Sequence, residues 1–421
     1  MSLLVQRLRT GEWLTPARIR AYSVILLVVS ALAIVGWIAL SDGLVDRNGK
    51  PIGTDFSSFY AAGSLVLDGR AADVYDMAVH YTRQHEIFGA AVQTYAWLYP
   101  PIFLLVAAPL ALMPYPVALA VWQGSTLLAY LFVTGLIVRT ARGPQGRVSR
   151  IWILATLAFP AVFVNLGHGQ NGFLTAALFG GALVALPTRP WLAGVLFGLM
   201  AYKPQFGLII PIALLAGGQW RAIIAAGLTV AALVGMTVLL FGVDTWLAFA
   251  ATTDISRKVL LEQGAVGFEK LQSIFAAVRL SGGSVMLAYA IQTAGTLAAA
   301  CSVAWIWRSP LDYRQKAAVL VIATLLASPH VLDYDLVALG VAIAFMATTG
   351  LTRGFRPYEI TLLAIAWTVP LISRGIATII PVPLGVIALL SLYAIALRRA
   401  ARDRREIAQQ RAASTHPVTA V

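Results

Sequence analysis

An aspartate in an aromatic stretch is the residue best suited to do chemistry in this chain. Asp55 lies within residues 53–60 (GTDFSSFY), between a glycine turn and a helical pattern rich in aromatic residues. The stretch follows the first long apolar run, where a chain would leave a lipid bilayer. A carboxylate held at the boundary of water and lipid could take the proton of a hydroxyl group beside a lipid-borne substrate.

Four later turns carry polar residues of the kinds that bind a charged substrate. Each lies at the end of a short apolar run, where it can sit below the lipid headgroups. Ionisable groups at that depth are costly and are functional candidates for that reason. The turns are Gly167-His168-Gly169-Gln170-Asn171-Gly172, Tyr202-Lys203-Pro204-Gln205, Ser328-Pro329-His330-Val331-Leu332-Asp333-Tyr334-Asp335 and Ser373-Arg374-Gly375.

The elements that must position these residues are membrane helices. Of the 421 residues, 59% are hydrophobic and 12% are charged, whereas a soluble domain carries about 25% charged residues. Repeated apolar runs of roughly 15–23 residues predict an all-α polytopic membrane protein. We expect no cleaved signal peptide, so the first apolar run, 22–40, remains as an anchor. The single Cys301 excludes a disulfide within the chain.

The distribution of charge predicts the topology. Arginines precede the first apolar run, so the N-terminus is expected in the cytoplasm. We predict about twelve transmembrane helices, cytoplasmic termini, and a half-depth helix at 102–113, which is short and bracketed by prolines. The net charge of +13 then reflects topology and contact with anionic lipid, and nucleic acid is not an expected partner. The arginines placed inside include Arg7, Arg9, Arg18, Arg20, Arg139, Arg142, Arg147 and Arg150.

Two long outer loops are expected within a single integral-membrane domain that spans residues 1–408. The first loop, 42–115, should contain short helices near 56–67 and 76–90 that lie along the membrane. The second loop, 242–284, intersperses aromatic and basic residues, which is typical of an interfacial helix. Residues 409–421 are expected to form a disordered cytoplasmic tail.

Several short motifs occur in an order that resembles one known family. They are Thr54-Asp55-Phe56 with Tyr60-Ala61-Ala62-Gly63, Asp73-Val74-Tyr75-Asp76, Tyr99-Pro100-Pro101, Gly169-Gln170-Asn171-Gly172, Lys203-Pro204-Gln205, and Ser328-Pro329-His330 followed by Asp333-Tyr334-Asp335. This ordered set resembles the polyprenol-phosphate-sugar-dependent glycosyltransferases of family 87. The resemblance implies the C-type integral-membrane glycosyltransferase fold and a donor sugar that is most often mannose.

Asp55 has two interpretations from the sequence alone. It could cap the helix that begins near Phe56, or it could act as a general base. The resemblance favours the catalytic interpretation, and Asp68, Asp73 and Asp76 are interpreted as turn and cap residues. One carboxylate suffices for a single displacement, so inversion at the anomeric carbon is expected.

The donor phosphate is expected to meet positive and polar side chains. Lys203 is the first candidate because Pro204 fixes its turn, and His330 and Arg374 would help it to stabilise the leaving phosphate. For His168, a structural role is the preferred interpretation and donor binding is the alternative. The other donor- or substrate-binding candidates are Gln170, Asn171 and Gln205, and the secondary candidates are Asp333, Asp335, Arg257, Lys258 and Tyr60.

We expect no cofactor. A metal site built from His330, Asp333 and Asp335 is the alternative, but their spacing is not a recognised ligand pattern. No soluble α/β domain with a phosphate-binding loop is present, so a nucleotide-sugar donor is not expected.

The sequence therefore predicts an enzyme, a hexosyltransferase. It would transfer a sugar, by expectation mannose, from a polyprenyl-phosphate donor to a lipid or glycan acceptor at the periplasmic face of a bacterial inner membrane. A polymerase or ligase of lipid-linked glycans is one alternative, whose site would lie mainly in the loop 242–284. A transporter or flippase is another, but it would carry paired repeats and charges near mid-bilayer.

Overall fold

The computed structural model describes residues 2–140 and 150–415, and these residues form nineteen α-helices and no strand. The helices are α1 (Leu3–Thr10), α2 (Pro16–Ala39), α3 (Phe56–Leu67), α4 (Met77–Phe88), α5 (Leu104–Ala111), α6 (Tyr115–Arg139), α7 (Arg150–Leu157), α8 (Pro160–His168), α9 (Gly172–Ala185), α10 (Pro190–Leu199), α11 (Ile210–Ala216), α12 (Trp220–Phe241), α13 (Val243–Ser256), α14 (Ile274–Leu280), α15 (Val285–Trp307), α16 (Tyr313–Ala327), α17 (Val337–Arg353), α18 (Glu359–Ile379) and α19 (Leu384–Thr415). The expected all-α polytopic membrane fold is confirmed.

Seven of the described helices are long and apolar enough to cross a membrane: α2, α6, α12, α15, α17 with the turn before it, α18 and α19. The pair α7 and α8 makes an eighth candidate, bent by 47° at its break. Pro160 begins α8 and explains the bend, because proline disfavours a helical conformation in the residue before it. Phe159 is accordingly non-helical, with φ −59° and ψ 121°.

Several helices of the bundle are too short to meet this criterion. The helices α9, α10 and α11 contain 14, 10 and 7 residues, whereas a span needs about 20. Each lies next to one of the polar turns identified in the sequence, which shorten the regular helix. The predicted count of about twelve spans is therefore not reached by length and composition, and it stays a prediction.

The first outer loop folds into a layer made of α3, α4 and α5. The helices expected near 56–67 and 76–90 are confirmed as α3 and α4. Asp76 caps α4 by accepting hydrogen bonds from two first-turn amides. Gly63 lets α3 approach α5 closely, because a Cβ atom there would clash with the backbone oxygen of Ala107. The segment from Pro101 to Ala111 extends roughly 18 Å, too little to cross a hydrocarbon core of about 30 Å.

Aromatic rings fix the outer layer to the bundle. Phe59 is 1% exposed and makes edge-to-face contacts with Phe103 at 5.1 Å, Tyr99 at 5.4 Å and Trp122 at 6.2 Å. Edge-to-face pairs contribute about 0.5–1.5 kcal/mol each beyond their buried area. Since Asp55 immediately precedes α3, this packing also fixes its backbone.

The second outer loop folds back onto the third polar turn, residues 328–335. Gln272 donates its backbone N–H to Val331 O at 2.7 Å, and Leu271 and Leu332 form an isolated antiparallel bridge. Beneath them α16 is buried on every face from Ala317 to Ala327, as expected for a helix that is apolar all round. The third polar turn, residues 328–335, directly follows this buried helix. Ser373-Arg374-Gly375, expected as a fourth turn, instead lies within α18.

Three parts of the topology prediction concern the ends of the chain or the segment that the structure does not describe. Helix α19 continues to Thr415, past residue 408, where the membrane domain was expected to end. Arg142 and Arg147, expected on the inner face, lie outside the described residues. The helix α1, which precedes the first apolar run, was not anticipated from the sequence.

Candidate active site

Asp55 precedes the first residue of α3, but its side chain does not cap that helix. The carboxylate accepts no hydrogen bond from the first-turn amides of α3, so the capping interpretation is not supported. Its Oδ2 atom instead accepts a hydrogen bond of 2.8 Å from Gln170 Nε2. The side chain is 21% exposed, and no described residue donates a hydrogen bond to Oδ1. One carboxylate oxygen is held in place and the other is open.

Gln170 is oriented so that its amide nitrogen faces Asp55. Its Oε1 atom accepts hydrogen bonds from Tyr99 OH and from the backbone N–H of Asn171, both at 3.0 Å. Because the amide oxygen is occupied, Nε2 is the group left to meet the carboxylate. Gln170 is 4% exposed. This N–H donor therefore fixes the position of one oxygen of Asp55.

The end of α8 brings Gln170 to Asp55. Gly169 ends this helix in the left-handed conformation, with φ 62°. A Cβ atom on Gly169 would lie 2.6 Å from Phe56 Cβ, so only glycine permits this approach. Asn165 holds the turn by donating from Nδ2 to Gln170 O at 3.0 Å. The separation between Asp55 and Gln170 is therefore set by backbone packing.

His168 also belongs to the Asp55 cluster. Its Nδ1 atom lies 3.9 Å from Asp55 Oδ2 and 2.9 Å from Thr54 Oγ1. On its other side the ring packs against Tyr334, with centroids 5.8 Å apart. The sequence favoured a structural role for His168, whereas this geometry makes it a direct neighbour of the candidate base.

Lys203 and Asp335 form a buried ion pair. Lys203 Nζ donates a hydrogen bond to Asp335 Oδ1, and the two residues are each 2% exposed. The other oxygen, Asp335 Oδ2, accepts from Leu332 N at 3.0 Å. Both oxygens of Asp335 are thus occupied, while the ammonium group of Lys203 keeps further N–H donors. A donor phosphate would have to be the second partner of Lys203.

His330 lies in the electrostatic field of this ion pair. Burial lowers the pKa of His330 below the usual histidine value, Lys203 adds to the shift, and Asp335 opposes it. The imidazole is therefore neutral at pH 7. It can donate or accept a hydrogen bond, and its role at the donor phosphate stays a prediction.

Asp333 faces Arg374 across the same end of the bundle. Arg374 Nη1 lies 3.7 Å from Asp333 Oδ2, and the arginine side chain is 42% exposed while the aspartate is 4% exposed. Asp333 Oδ1 accepts a hydrogen bond of 2.9 Å from Tyr334 N. Arg374 therefore presents a more accessible guanidinium to a phosphate than the buried Lys203 presents an ammonium group.

Two residues of this region were missed as site candidates. Lys270 lies in this region because the second outer loop pairs with the third polar turn, residues 328–335. Burial lowers the pKa of Lys270 and Arg374 adds to the shift, while Asp55 and Asp333 oppose it. Tyr99 orients Gln170 through its hydroxyl group. The Tyr-Pro-Pro motif could have identified Tyr99 as a site residue from the sequence. No sequence pattern could have identified Lys270, because its position depends on how a long loop folds.

Asn171 contacts this cluster through the backbone N–H that it donates to Gln170 Oε1. The other candidates make no hydrogen bond or ion pair with it among the described residues. Arg257 binds Glu262 and Asp254, and Lys258 is exposed beside it. Tyr60 donates its hydroxyl to Met113 O at 2.9 Å, and Gln205 is half-buried in the 3₁₀ helix that follows Lys203. Asn171 is fully buried where α9 begins, with no hydrogen-bond partner for its side-chain atoms among the described residues.

The metal alternative was tested on the arrangement of possible ligands. Within residues 2–140 and 150–415, no group of three or more His, Cys, Asp or Glu side chains is arranged to hold a metal ion. For His330, Asp333 and Asp335, the two carboxylates are directed to Arg374 and Lys203.

An apolar cavity of about 510 Å³ adjoins Lys203. Its walls come mainly from α10, α11, α12 and α13, and include Phe197, Pro211, Val230 and Trp246. Lys203 is the one charged residue among the described residues that line it. The shape and lining suit a hydrocarbon chain whose charged end group lies at the lysine.

Comparison with known proteins identifies the family. The family model described as glycosyltransferase family 87 matches residues 97–329, more than half of the chain. The chain belongs to glycosyltransferase family 87. It is thus a membrane-embedded glycosyltransferase, as the ordered motifs implied. The match includes Gln170 and Lys203, whereas Asp55 and Arg374 lie outside it.

One curated relative of this family 87 protein comes from Mycolicibacterium smegmatis (strain ATCC 700084 / mc(2)155). It is described as a polyprenol-phosphate-mannose-dependent alpha-(1-2)-phosphatidylinositol pentamannoside mannosyltransferase and is 28% identical over 230 residues. The aligned region covers 54% of this chain and 51% of the relative, so the chain spans about half the length of the relative. No solved structure matches the chain.

Proposed function

We propose that this protein is a mannosyltransferase that uses a polyprenyl-phosphate mannose donor and a lipid or glycan acceptor. The observation that carries the proposal is the Asp55 carboxylate, whose Oδ2 is held by Gln170 while Oδ1 is open. Family membership supplies the reaction class. The activity named for the mycobacterial relative suggests the sugar and its polyprenol carrier.

In the proposed reaction Asp55 is the general base. As the acceptor oxygen attacks the anomeric carbon, its proton moves to Asp55 Oδ1, and the bond from that carbon to the phosphate oxygen breaks. The electron pair leaves with the polyprenyl phosphate. One carboxylate suffices for a single displacement, so inversion at the anomeric carbon is proposed.

The leaving phosphate gains negative charge as this bond breaks, and a positive side chain can stabilise it. Arg374 is accessible, with its guanidinium 3.7 Å from Asp333. Lys203 borders the apolar cavity and has N–H donors beyond its bond to Asp335. His330, neutral at pH 7, would contribute a hydrogen bond. Arg374 and Lys203 are therefore the proposed cations of the donor site.

The apolar cavity gives the polyprenyl chain a location. Its walls are aliphatic and aromatic, and Lys203 is the one charged residue among the described residues that line it. A chain lying there would bring a terminal phosphate toward the ion pair. We place the site on the periplasmic side, with both termini cytoplasmic, because that topology puts most arginines inside.

The proposed function is tested with the full-length protein in lipid nanodiscs. It is supplied with radiolabelled polyprenyl-phosphate mannose or GDP-mannose, and with lipid and glycan fractions as acceptors. Mannose should enter a product from the polyprenyl donor alone. Transfer from GDP-mannose in the absence of polyprenyl phosphate would contradict the donor assignment. Comparing the anomeric configuration of donor and product by NMR tests inversion.

A further inference from the structure

A second cavity, of about 620 Å³, lies near the other end of helix α18. Glu359 begins this helix and lines the cavity, whereas Arg374 near its other end faces Asp333 in the candidate active site. Their separation of 15 positions in the sequence corresponds to about 22 Å along the helix axis. The cavity is therefore separate from the donor and acceptor sites proposed above.

The lining of this cavity is strongly basic. One carboxylate, Glu359, is accompanied by five arginines: Arg9, Arg356, Arg398, Arg399 and Arg402. Such an excess of positive charge in a concave site attracts anions.

Internal partners neutralise only two of the five arginines. Arg356 Nη2 binds Asp403 at 2.9 Å and Glu406 at 3.0 Å, and Arg399 Nη1 binds Glu359 at 2.6 Å. By contrast, Arg9, Arg398 and Arg402 make no ion pair with any described residue. Three guanidinium groups thus remain for an external anion.

A buried donor at the same cavity also lacks a partner. Arg399 is 6% exposed, and its Nε–H makes no hydrogen bond within the described chain. The nearest acid oxygen, Asp403 Oδ2, is 3.8 Å away, too far for a hydrogen bond. Buried polar atoms are usually satisfied. Glu359 Oε1, in the residue that pairs with Arg399, is likewise buried without a partner among the described residues, so this part of the cavity lining has unused hydrogen-bonding capacity.

The rim of the cavity is built by a contact between the chain's first helix and α18. Tyr358 N donates to Arg9 O at 2.9 Å, and Thr361 Oγ1 donates to Leu8 O at 2.7 Å. Tyr358 has φ 69°, the one left-handed non-glycine conformation in the described residues. Such strain persists where the surrounding structure fixes it and often marks a functional site.

Helix α1, which carries the cavity-lining Arg9, exposes apolar side chains at its start. Its Leu3 and Leu4 side chains are 77% and 67% exposed, while its arginines lie near its C-terminal end. An amphipathic helix of this kind lies in the membrane surface with its apolar residues toward the acyl chains.

We propose that this cavity binds a phosphate group, as the headgroup of an anionic phospholipid or as a soluble phosphate. Arginine presents paired N–H donors that match phosphate oxygens. Basic cavities between helices on the cytoplasmic side of membrane proteins bind anionic headgroups in this way. The proposal is independent of the transferase reaction.

The test measures binding to the purified full-length protein by native mass spectrometry and by thermal shift. The probes are dioctanoyl phosphatidylglycerol, dioctanoyl phosphatidylcholine and inorganic phosphate. Arg398→Gln/Arg402→Gln removes two exposed arginines that line the cavity. Arg308→Gln/Arg405→Gln removes the same charge from exposed positions outside it. All variants should fold, since none of these four arginines makes a described ion pair.

Wild type should bind phosphatidylglycerol in preference to phosphatidylcholine, and the cavity variant should bind it at least about tenfold more weakly. The control variant should match wild type. Stabilisation by inorganic phosphate, lost in the cavity variant alone, would assign the site to a soluble phosphate. Equal weakening in both variants, equal binding of phosphatidylcholine, or no binding of any probe would overturn the proposal. None of these results depends on mannosyl transfer.

Discussion

Asp55 combines two properties that a general base needs. Gln170 fixes one oxygen of its carboxylate, and the other oxygen is open to an acceptor hydroxyl. Asp335 has both oxygens occupied, and Asp333 is almost fully buried beside Arg374. Of the three carboxylates, Asp55 is therefore the one an acceptor can reach without breaking an existing contact.

Replacing Asp55 by asparagine should separate basicity from folding. Asn can accept the Gln170 hydrogen bond through its amide oxygen, so Asp55→Asn should insert and purify normally. Transfer should fall by about 10²–10⁴-fold, the usual contribution of a general base. Radiolabelled mannose transfer and donor binding are the measurements.

The matched control for this variant is Asp73→Asn, in the same outer loop. Asp73 is exposed and pairs with Arg70, so its loss should change transfer little. Robust turnover by purified Asp55→Asn would contradict the proposed mechanism and move the base role to Asp333.

Because Lys203 and Asp335 form a buried ion pair, a single substitution at either residue should change both the stability of the protein and its activity. Lys203→Met leaves an unpaired buried carboxylate and should lower stability by about 3–5 kcal/mol. Lys203→Met/Asp335→Asn removes that charge but retains an acceptor for Leu332 N, so most of the stability should return. Thermal unfolding of wild type and of the two variants measures this.

Donor kinetics of the stable double variant then test phosphate binding. If Lys203 contacts the donor phosphate, donor use should stay roughly ten- to a hundredfold weaker. Wild-type donor kinetics in the double variant would leave Lys203 a purely structural role.

At the scale of elements, the site depends on how closely the end of α8 meets the start of α3. Gly169→Ala should strain a left-handed residue, at about 1–2 kcal/mol, and push its Cβ into Phe56. Transfer should therefore fall with the loss of the Asp55–Gln170 contact. Gly167→Ala, two residues earlier, has open space for its Cβ and is the control. Equal transfer activity of the two variants would show that the close approach of α8 to α3 at Gly169 is not needed for transfer.

The packing of α4 on α3 predicts sensitivity to acid. His80 is 1% exposed, lies 3.1 Å from Ser58 Oγ, and burial lowers its pKa to about 4. Between that value and the usual 6.5, the unfolded chain binds more protons. Stability from this site is therefore complete above about pH 6.5 and is lost as pH falls toward 4, by up to about 3 kcal/mol.

Thermal melts of wild type and His80→Gln between pH 7.5 and 4 measure this effect. The wild-type melting temperature should fall with acid, and the variant should fall less steeply. Parallel pH profiles would exclude His80 as the cause.

For the whole molecule, the topology can be tested at the point where the chain was most ambiguous. If the segment Pro101–Ala111 does not cross the bilayer, α6 is the single crossing between Asn48 and Thr140. Cysteines at these two exposed positions, in a Cys301→Ser background, should then label from opposite sides of the membrane. Labelling of both from one side would make the segment a full span and change the sidedness of every later turn.

The sequence determined the class of molecule and the order of its motifs. Apolar run length requires helices that satisfy their own backbone, so the all-α membrane fold followed directly. Local chemistry also placed α3 and α4, since Asp76 is a favoured cap and glycines end both segments. The number of spans did not follow in the same way, because short helices such as α10 and α11 lie below the length that hydropathy can resolve.

Only the tertiary structure decided which polar residues meet. Asp55 and Gln170 are 115 residues apart in the chain, and Lys203 and Asp335 are 132 apart. The pairing of Asp55 with Gln170 depends on the close backbone approach at Gly169, and that of Lys203 with Asp335 depends on the packing of two distant turns. Neither feature produces a local pattern in the sequence. For the same reason the sequence ranked His330 above His168, although burial keeps His330 neutral and packing brings His168 to Asp55. Residue type determines which chemistry a side chain can perform. Its spatial neighbours determine which of these roles it has, and local sequence spacing does not encode those neighbours.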